Sequence, residues 1–451
     1  MTYAAAVERL LELGHELGAH TPAKFSLDQM RVLAAALGNP ERRFASVLIA
    51  GTNGKGSTAA TLASIMQCAG YRTGLYTSPH LVRVNERIRL QGEAISDAEF
   101  AEIYRRIDEV AAGLVRQGAL PQPPSFFEML TAMAFEYFAS AGVEIAVLEV
   151  GMGGRLDATN IVEPCVSVIT DIALDHQKFL GNTVGAIARE KAGILRRNGV
   201  LVTLPQHPEA NDVIGHTALE LNVRAISAVP YMPPVSPNSE PPRLAENGAL
   251  QSYPLNLLDR ELLIETPLLG HHQLRNVALA LAASVELNRQ GFTITGDAIE
   301  RGARQAQWPG RFQVIRPNQT GAACVLDVAH NPAGAWALRA ALSRYFEDRP
   351  LVMIFGAMRD KAIAEMADIL FPLARHVIAT QASSHNPRAA APEEIAAAGA
   401  RTGAELIQEP NVPAALARAR SFARQESNSL IVVTGSIYIV GEALELLGRG
   451  A

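Results

Sequence analysis

The sequence predicts an α/β protein. A doubly wound, mostly parallel sheet domain is expected over residues 1–307, followed by a smaller Rossmann-like α/β domain over residues 308–451. Three observations predict this. At 451 residues the chain is too long for one ordinary core. Short unbroken apolar runs alternate with helical patterns, which is how parallel strands buried on both faces read. The alternation then restarts after "WPGRF" (308–312).

Taken in order, residues 1–45 read as helical with a break at "HTPAKFS" (20–26). The run "ASVLIAG" (45–51) is a strand ending in glycine, and "STAATLASIMQCAG" (57–70) is the helix after it. "EIAVLEVG" (144–151) is a second strand, leading into the glycine-rich "GMGGRLDATN" (151–160). "CVSVITDIALDH" (165–176) is a third, ending in acidic residues and a histidine, with the helix "TVGAIAREKAGILRR" (183–197) beyond it. Residues 228–260 are rich in Pro, Ser and Asn and predict a surface excursion with weak strand structure. A helix over 271–287 and another through Ala306 close the first domain. In the second, strands are expected at 324–330, 351–358 and 376–380, with helices at 332–346 and 362–374, and a final strand runs into a helix over 429–447.

Composition excludes several classes. Lys plus Arg is 40 against 45 Asp plus Glu, a net charge of −5, which provides no electrostatic footprint for nucleic acid. Cys68, Cys165 and Cys324 are odd in number and far apart, so neither a disulfide framework nor a zinc site is expected. No apolar run approaches the ~18 residues of a membrane span, and the N-terminus has no signal-peptide core. A cytoplasmic protein is expected, and with nothing calling for an obligate oligomer, a monomer.

The stretch "LIAGTNGKGSTAATLASIM" (48–66) places three glycines and a lysine between a strand and a helix. Backbone N–H groups at such a helix start lack intrahelical partners and face an anion with the helix dipole behind them. Lys55 can neutralise phosphate charge, and Ser57 or Thr58 can place a hydroxyl on Mg²⁺. The spacing departs from the common nucleotide loop, since Ile49 stands where its first glycine would be and Gly56 separates Lys55 from Ser57. The alternative is a glycine-rich turn with an exposed lysine. Glu149 ends one apolar strand and His176 follows another, where ligands gather in open α/β sheets. With Ser57 they are either ligands for divalent metal on nucleotide phosphates, or an edge glutamate and a helix-capping histidine. Lys191, flanked by Glu190, reads by itself as a solvated lysine in an ion pair. Ser125 and Glu128 form a capping-box pattern at a helix entry, with Phe126, Leu130, Met133, Ala134 and Tyr137 as an apolar stripe behind it.

"GTNGKGS" (51–57) resembles the loop of the Mur-type ATP-dependent amide ligases, in particular the folylpolyglutamate synthase and dihydrofolate synthase family. "YTSPHLVRVNERI" (76–88), "SFFEMLTAMAF" (125–135), "EVGMGGRLDATN" (149–160), "DHQKFLGNTVGAIAREKAGI" (175–194), "PGRFQ" (309–313), "LDVAHNP" (326–332) and "TGSIY" (434–438) resemble that family's motifs in its order, across roughly residues 45–440. The resemblance implies ATP binding by Thr52, Asn53, Gly54, Lys55, Gly56 and Ser57, with Asn276 facing adenine, Asp327 the ribose and Arg311 the phosphates. It implies two Mg²⁺ sites held by Ser57, Ser78, Glu149, His176 and a carbamylated Lys191, and admits a monovalent cation. Pterin or folate contacts are implied for Ser125, Phe126, Phe127 and Glu128, for Leu156, Asp157 and Ala158, and for Ser26, Leu27, Asp28 and Gln29. Within these, Asp157 suits the aminopyrimidine edge and Phe126 suits ring stacking. Ser436 and Tyr438 fall on the glutamate side, and Lys55, Lys191 and His330 are the implied catalytic residues.

The expected reaction is ligation of L-glutamate to dihydropteroate and to the glutamate tail of reduced folates. A carboxylate takes the γ-phosphoryl group of ATP, and the glutamate amine displaces phosphate from the acyl phosphate. Both domains supply residues, so closure of a cleft on binding is expected. Three alternatives are weaker. A muramyl amino-acid ligase needs a further N-terminal domain, for which the 50 residues before Gly51 are too few. A simple P-loop kinase does not account for the second domain with "DVAHNP", nor does a non-enzymatic scaffold account for Lys55, Glu149, His176 and Asp327. Tail extension alone remains the narrower version of the same activity.

Overall fold

The structure is a computed structural model. It describes residues 1–14, 26–233, 250–315, 322–382, 387–426 and 428–448. Two compact units are present, and the chain passes between them more than once. Residues 250–252, Thr266–Leu274 and everything described from Gln307 onward form one unit, and the remaining described residues form the other. The expected single division at 307/308 therefore does not describe the whole partition.

The first unit opens with helices α1 (Tyr3–Glu12) and α2 (Leu27–Ala36). Most of the helix break expected at 20–26 lies outside the described residues, apart from Ser26, which caps α2. Strand β1 (Ala45–Ala50) and helix α3 (Lys55–Cys68) come next. Strands β2 (Thr73–Tyr76), β3 (Ile88–Leu90) and β4 (Glu93–Ala94) follow, then helices α4 (Asp97–Arg116) and α5 (Phe126–Ser140). Strands β5 (Ile145–Glu149) and β6 (Val166–Ile169) lead to helices α6 (Gln177–Leu180) and α7 (Val184–Ala192). Strand β7 (Val200–Thr203), helix α8 (Pro208–Glu220) and strand β8 (Arg224–Ser227) complete the eight-stranded sheet, in the order β4-β3-β2-β5-β1-β6-β7-β8.

From β2 to β8 all pairings in this sheet are parallel, and β3 and β4 add an antiparallel edge. β1, β5 and β6 are almost wholly buried, as their unbroken apolar runs predict. The chain leaves β1 for β2 on one side and returns through β5 to reach β6 on the other, so the sheet switches direction at β1. Ile49 pairs with Glu149 on one flank and Val168 on the other, which brings the carboxyl ends of β1, β5 and β6 level. A ligand site is expected outside those ends.

Two local results differ from expectation. α3 starts at Lys55, two residues early, because Gly54 takes the left-handed cap position at φ +88°. The predicted weak strand region contains a regular hairpin of β9 (Gln251–Leu257) and β10 (Arg260–Thr266), with buried and exposed residues alternating along β9. Its turn residues Leu258 and Asp259 both have positive φ, as a tight hairpin turn requires. Helices α9 (His271–Arg289) and α10 (Gly296–Gln305) follow.

The second unit holds a six-stranded sheet ordered β11-β12-β16-β13-β14-β15. Its strands are β11 (Gln313–Ile315), β12 (Ala323–Asp327), β13 (Leu351–Phe355), β14 (His376–Ala379), β15 (Glu405–Gln408) and β16 (Leu430–Thr434). Only β11 runs antiparallel. Helices α11 (Pro332–Phe346), α12 (Ile363–Leu370), α13 (Pro392–Gly399), α14 (Val412–Gln425) and α15 (Ile437–Gly448) complete this unit. None of the described helices is long and apolar enough to cross a membrane.

Candidate active site

At the switch point, the loop from β1 to α3 is built so that its backbone can sit closely against its neighbours. A Cβ on Gly51 would fall 1.7 Å from Thr170 Oγ1, and one on Gly54 would fall 2.1 Å from Asn276 Oδ1. Only glycine fits at either position. The first turn of α3 leaves the amides of Lys55, Gly56 and Ser57 without intrahelical acceptors. The amides of Thr52 and Asn53 are used differently, since both donate to the Asp171 carbonyl, at 2.8 and 3.2 Å. The Thr52 hydroxyl donates to Ala173 O and accepts from Ala173 N, each at 3.1 Å. These two residues therefore tie the loop to the end of β6, and the amides without intrahelical acceptors come from the residues after them. Asn276 is buried with its carboxamide against Gly54 at the cap of α3.

Lys55 meets a carboxylate here. Lys55 Nζ donates to Thr52 O at 3.2 Å and lies 3.9 Å from Glu149 Oε1. Glu149 Oε2 accepts from the Ser78 amide at 3.2 Å. The Ser78 hydroxyl is buried without a hydrogen-bond partner among the described residues. A buried hydroxyl left unmatched beside a buried carboxylate is costly unless a ligand completes it. This donor set fits a hard divalent cation such as Mg²⁺, which takes few protein oxygens. His176 is half-buried at the start of α6 with φ +49°, its Nε2 3.8 Å from Asp175 Oδ2. Ser57 is buried in the first turn of α3.

Lys191 corrects the expectation of a solvated ion-paired lysine. It is only 4% exposed, and its Nζ donates to Gly51 O at 2.7 Å, directly beneath the phosphate loop. Burial, with the Lys55 charge adding to it, pushes its amine down to about 7. Glu190 pairs instead with Arg155 at 3.0 Å. A Cβ on Gly154 would meet Glu190 O at 2.8 Å, and one on Gly193 would meet Arg155 Cβ at 2.4 Å, so the glycine-rich loop lies flat on the end of α7.

The expected pterin residues occupy three places. Ser125 and Glu128 form the predicted capping box of α5. Phe126 is buried with the Arg87 guanidinium 5.3 Å from its ring centroid, which covers one face of the ring. Phe127 is half-buried, against Gly151 and within 6.0 Å of the Tyr76 ring. Asp157 accepts from the amides of Gly151, Met152 and Thr159 and from the Thr159 hydroxyl. A pterin donor would have to share those oxygens with the loop. Leu156 is half-buried and Ala158 buried in the same segment. Ser26 caps α2 by accepting from the Asp28 amide, Leu27 is buried and Asp28 is exposed. Gln29 and Glu128 line one shallow recess with Met30, Leu33, Leu120 and Pro124.

In the second unit, Asp327 ends β12 and accepts from the Phe312 and Ala329 amides, both at 2.8 Å. Arg311 donates to Gly310 O at 3.3 Å, and His330 Nδ1 lies 2.9 Å from Val328 O. Ser436 is buried after β16 and accepts from the Tyr438 amide. These residues stand at the carboxyl ends of β12 and β16, adjacent parallel strands, with Asp327 paired to Thr434.

Sequence reasoning missed several residues. Arg87 is buried and donates to His80 Nδ1 at 2.9 Å, while burial and that charge hold His80 down at about 3. The basic and imidazole residues within "SPHLVRVNER" were the available signal. Asp171 and Arg275 also went unread, although an acidic residue directly after an apolar strand was visible in "VITDI".

Two family models match this chain: the Mur ligase middle domain over residues 128–284, and the Mur ligase glutamate ligase domain over residues 310–437. The dihydrofolate synthase/folylpolyglutamate synthase of Bacillus subtilis is 34% identical, covering 93% of this chain and 94% of that protein. Its namesake in Mycobacterium tuberculosis is 36% identical over 98% of this chain and 95% of its own. Among solved structures, M. tuberculosis folylpolyglutamate synthase complexed with ADP and AMPPCP matches with a TM-score of 0.86, at 33% identity and 99% of both chains. E. coli FolC in complex with DHPP and ADP matches with a TM-score of 0.82, at 29% identity, over 100% of this chain and 99% of that one. With this fold, this loop and relatives matched along nearly their whole length, the chain belongs to the dihydrofolate synthase/folylpolyglutamate synthase family of Mur-type ligases.

Proposed function

We propose that this protein joins L-glutamate to dihydropteroate, and to the glutamate tail of reduced folates, in an ATP-dependent reaction through an acyl phosphate. The observation that carries the reading is the convergence of Lys55, Glu149, Ser78 and Lys191 beside the free amides of α3, at the sheet's switch point. The substrate class is that of its dihydrofolate synthase/folylpolyglutamate synthase relatives.

A carboxylate is a poor electrophile, and transfer of a γ-phosphoryl group to it creates a carbonyl that an amine can attack. In the proposed reaction the substrate carboxylate oxygen bonds to the γ-phosphorus as the bond to ADP breaks. The glutamate nitrogen then bonds to the acyl carbon, losing a proton, and phosphate leaves. Amides of Lys55, Gly56 and Ser57 face the ATP phosphates, and Lys55 Nζ neutralises charge spreading over the transferred group. Ser57, Ser78, Glu149 and His176 would hold Mg²⁺, which supplies charge neutralisation on the phosphates. Lys191, with its amine near 7, is about half neutral at neutral pH and so able to react with carbon dioxide to form a carbamate, which fits an anionic metal-binding role. Asp327 and Arg311 are assigned to ATP, His330 to catalysis, and Ser436 and Tyr438 to the glutamate side. Phe127, with Ser125 and Glu128 at the start of α5 and the segment Leu156–Ala158, is assigned to the pterin.

The test is phosphate release with MgATP and L-glutamate, with dihydropteroate or tetrahydrofolate as acceptor. Turnover with both supports the bifunctional reading. Turnover with tetrahydrofolate alone narrows it to tail extension, the activity named for the Lacticaseibacillus casei relative, which is 33% identical over 94% of this chain and 95% of its own.

A further inference from the structure

We infer that Asp171 and Arg275 form a positioning pair that sets the phosphate loop for nucleotide. The inference rests on the ligase reading only in expecting that nucleotide to be ATP.

Asp171 is the first charged residue beyond β6, and it works at both ends. Its carbonyl accepts the Thr52 and Asn53 amides, forming an isolated antiparallel bridge with Asn53. Its carboxylate is held from two sides by Arg275, with Nη2 at 2.7 Å from Oδ1 and Nε at 3.4 Å from Oδ2. Arg275 Nη2 also donates to Pro205 O at 3.2 Å. The neighbouring segment is fixed independently: Gln206 accepts from the Ile172 amide and donates to Thr170 O, each at 3.0 Å.

The next residue of α9, Asn276, packs directly on Gly54. Two consecutive residues of one helix therefore grip the loop at two points, Arg275 through Asp171 at Thr52–Asn53 and Asn276 at Gly54. The amides left for phosphate begin immediately after the second grip. Their direction follows from where the first grip holds the chain, and errors of about 1 Å in such positioning are costly to a reaction.

The pair's exposure argues for positioning over folding. The side chains of Arg275 and Asp171 are 26% and 38% exposed, and ion pairs that wet contribute little to stability. Two-point guanidinium–carboxylate geometry does fix orientation. Neither residue reaches the phosphates in this account. Both act through the backbone of Thr52 and Asn53.

The experiment compares Arg275→Gln, Asp171→Asn, the double variant and Arg275→Lys with wild type. It measures equilibrium binding of the non-hydrolysable nucleotide AMPPCP, KM for ATP and for each acceptor, and thermal unfolding. The expected result is a roughly tenfold or greater loss of AMPPCP affinity in either single neutral variant, with a matching rise in ATP KM. The double variant is expected to be no worse than the singles, and Arg275→Lys to recover part of the loss. Acceptor KM is expected to stay within about twofold, and folded protein to be retained. AMPPCP affinity within twofold of wild type in both single variants would overturn the proposal, whatever happens to unfolding. Because AMPPCP binding needs no turnover, a wild type that binds it yet ligates neither acceptor refutes the ligase reading and leaves the test of this pair intact.

Discussion

Ser78 separates stability from function more cleanly than any other residue here. Its buried hydroxyl has no partner among the described residues, so Ser78→Ala removes a group that costs the fold something. The variant is expected to unfold at the same temperature or slightly higher, by at most ~1 kcal/mol, while requiring much more Mg²⁺ for turnover. A fall in stability with unchanged Mg²⁺ dependence would remove Ser78 from the metal site. Lys55→Met is expected to lower turnover by ~10²–10³-fold, the scale of losing one donor aimed at developing charge, as checked by phosphate release. Lys191 makes a prediction in pH. Its amine sits near 7 in the folded chain, against about 10.4 when solvated. The unfolded chain therefore binds this proton more tightly, and the residue subtracts stability increasingly as pH falls from about 10 to 7, and a constant amount below 7. In buffer free of carbon dioxide, Lys191→Met is expected to melt above wild type at pH 6–7, with the gap closing toward pH 10. An equal gap at both ends of that range would contradict the buried, neutral amine.

At the level of elements, α10 and α3 pack very close together toward the C-terminal end of α3. A Cβ on Gly302 of α10 would lie 2.4 Å from Ile65 Cα of α3, so Gly302→Ala must separate the two helices. A loss of ~1–3 kcal/mol is expected, the cost of overpacking a closed interface, read from denaturant unfolding. Much of this level was legible in the sequence. The buried strands announced themselves as unbroken apolar runs, and "SFFE" announced its capping box. The 20-residue α4 was equally legible, with Phe100, Tyr104, Ile107 and Ala111 buried on one face and Ser96 and Glu99 at its start, but no family motif drew attention to it. The hairpin over 251–266 was obscured by the Pro- and Ser-rich run before it, whose residues 234–249 lie outside the described chain. β3 and β4, at three and two residues, are too short to show a period. The burial of Lys191 was not readable, because helical spacing alone does not say which face of α7 lies under the loop. Arg275 and Asp171 are 104 residues apart, and only the folded sheet brings them together.

For the whole molecule, the order of strands matters more than any single motif. By placing β1 between β5 and β6, the fold gathers Lys55, Glu149 and the Asp171–His176 segment from three distant stretches at the carboxyl ends of the central strands. The second unit repeats the device on a smaller scale, with Asp327 and Ser436 at the ends of neighbouring parallel strands. A net charge of −5 leaves phosphate recognition to that local arrangement and not to a general basic surface. The central claim is that this arrangement activates a substrate carboxylate, the benzoate carboxylate of dihydropteroate or a tail carboxylate of a reduced folate, for attack by glutamate. The most direct measurement is phosphate release with MgATP and L-glutamate, with dihydropteroate and tetrahydrofolate each supplied as acceptor. The account predicts release with both, dependent on L-glutamate and lowered ~10²–10³-fold in Lys55→Met. Binding of AMPPCP without release in the presence of either acceptor would contradict it.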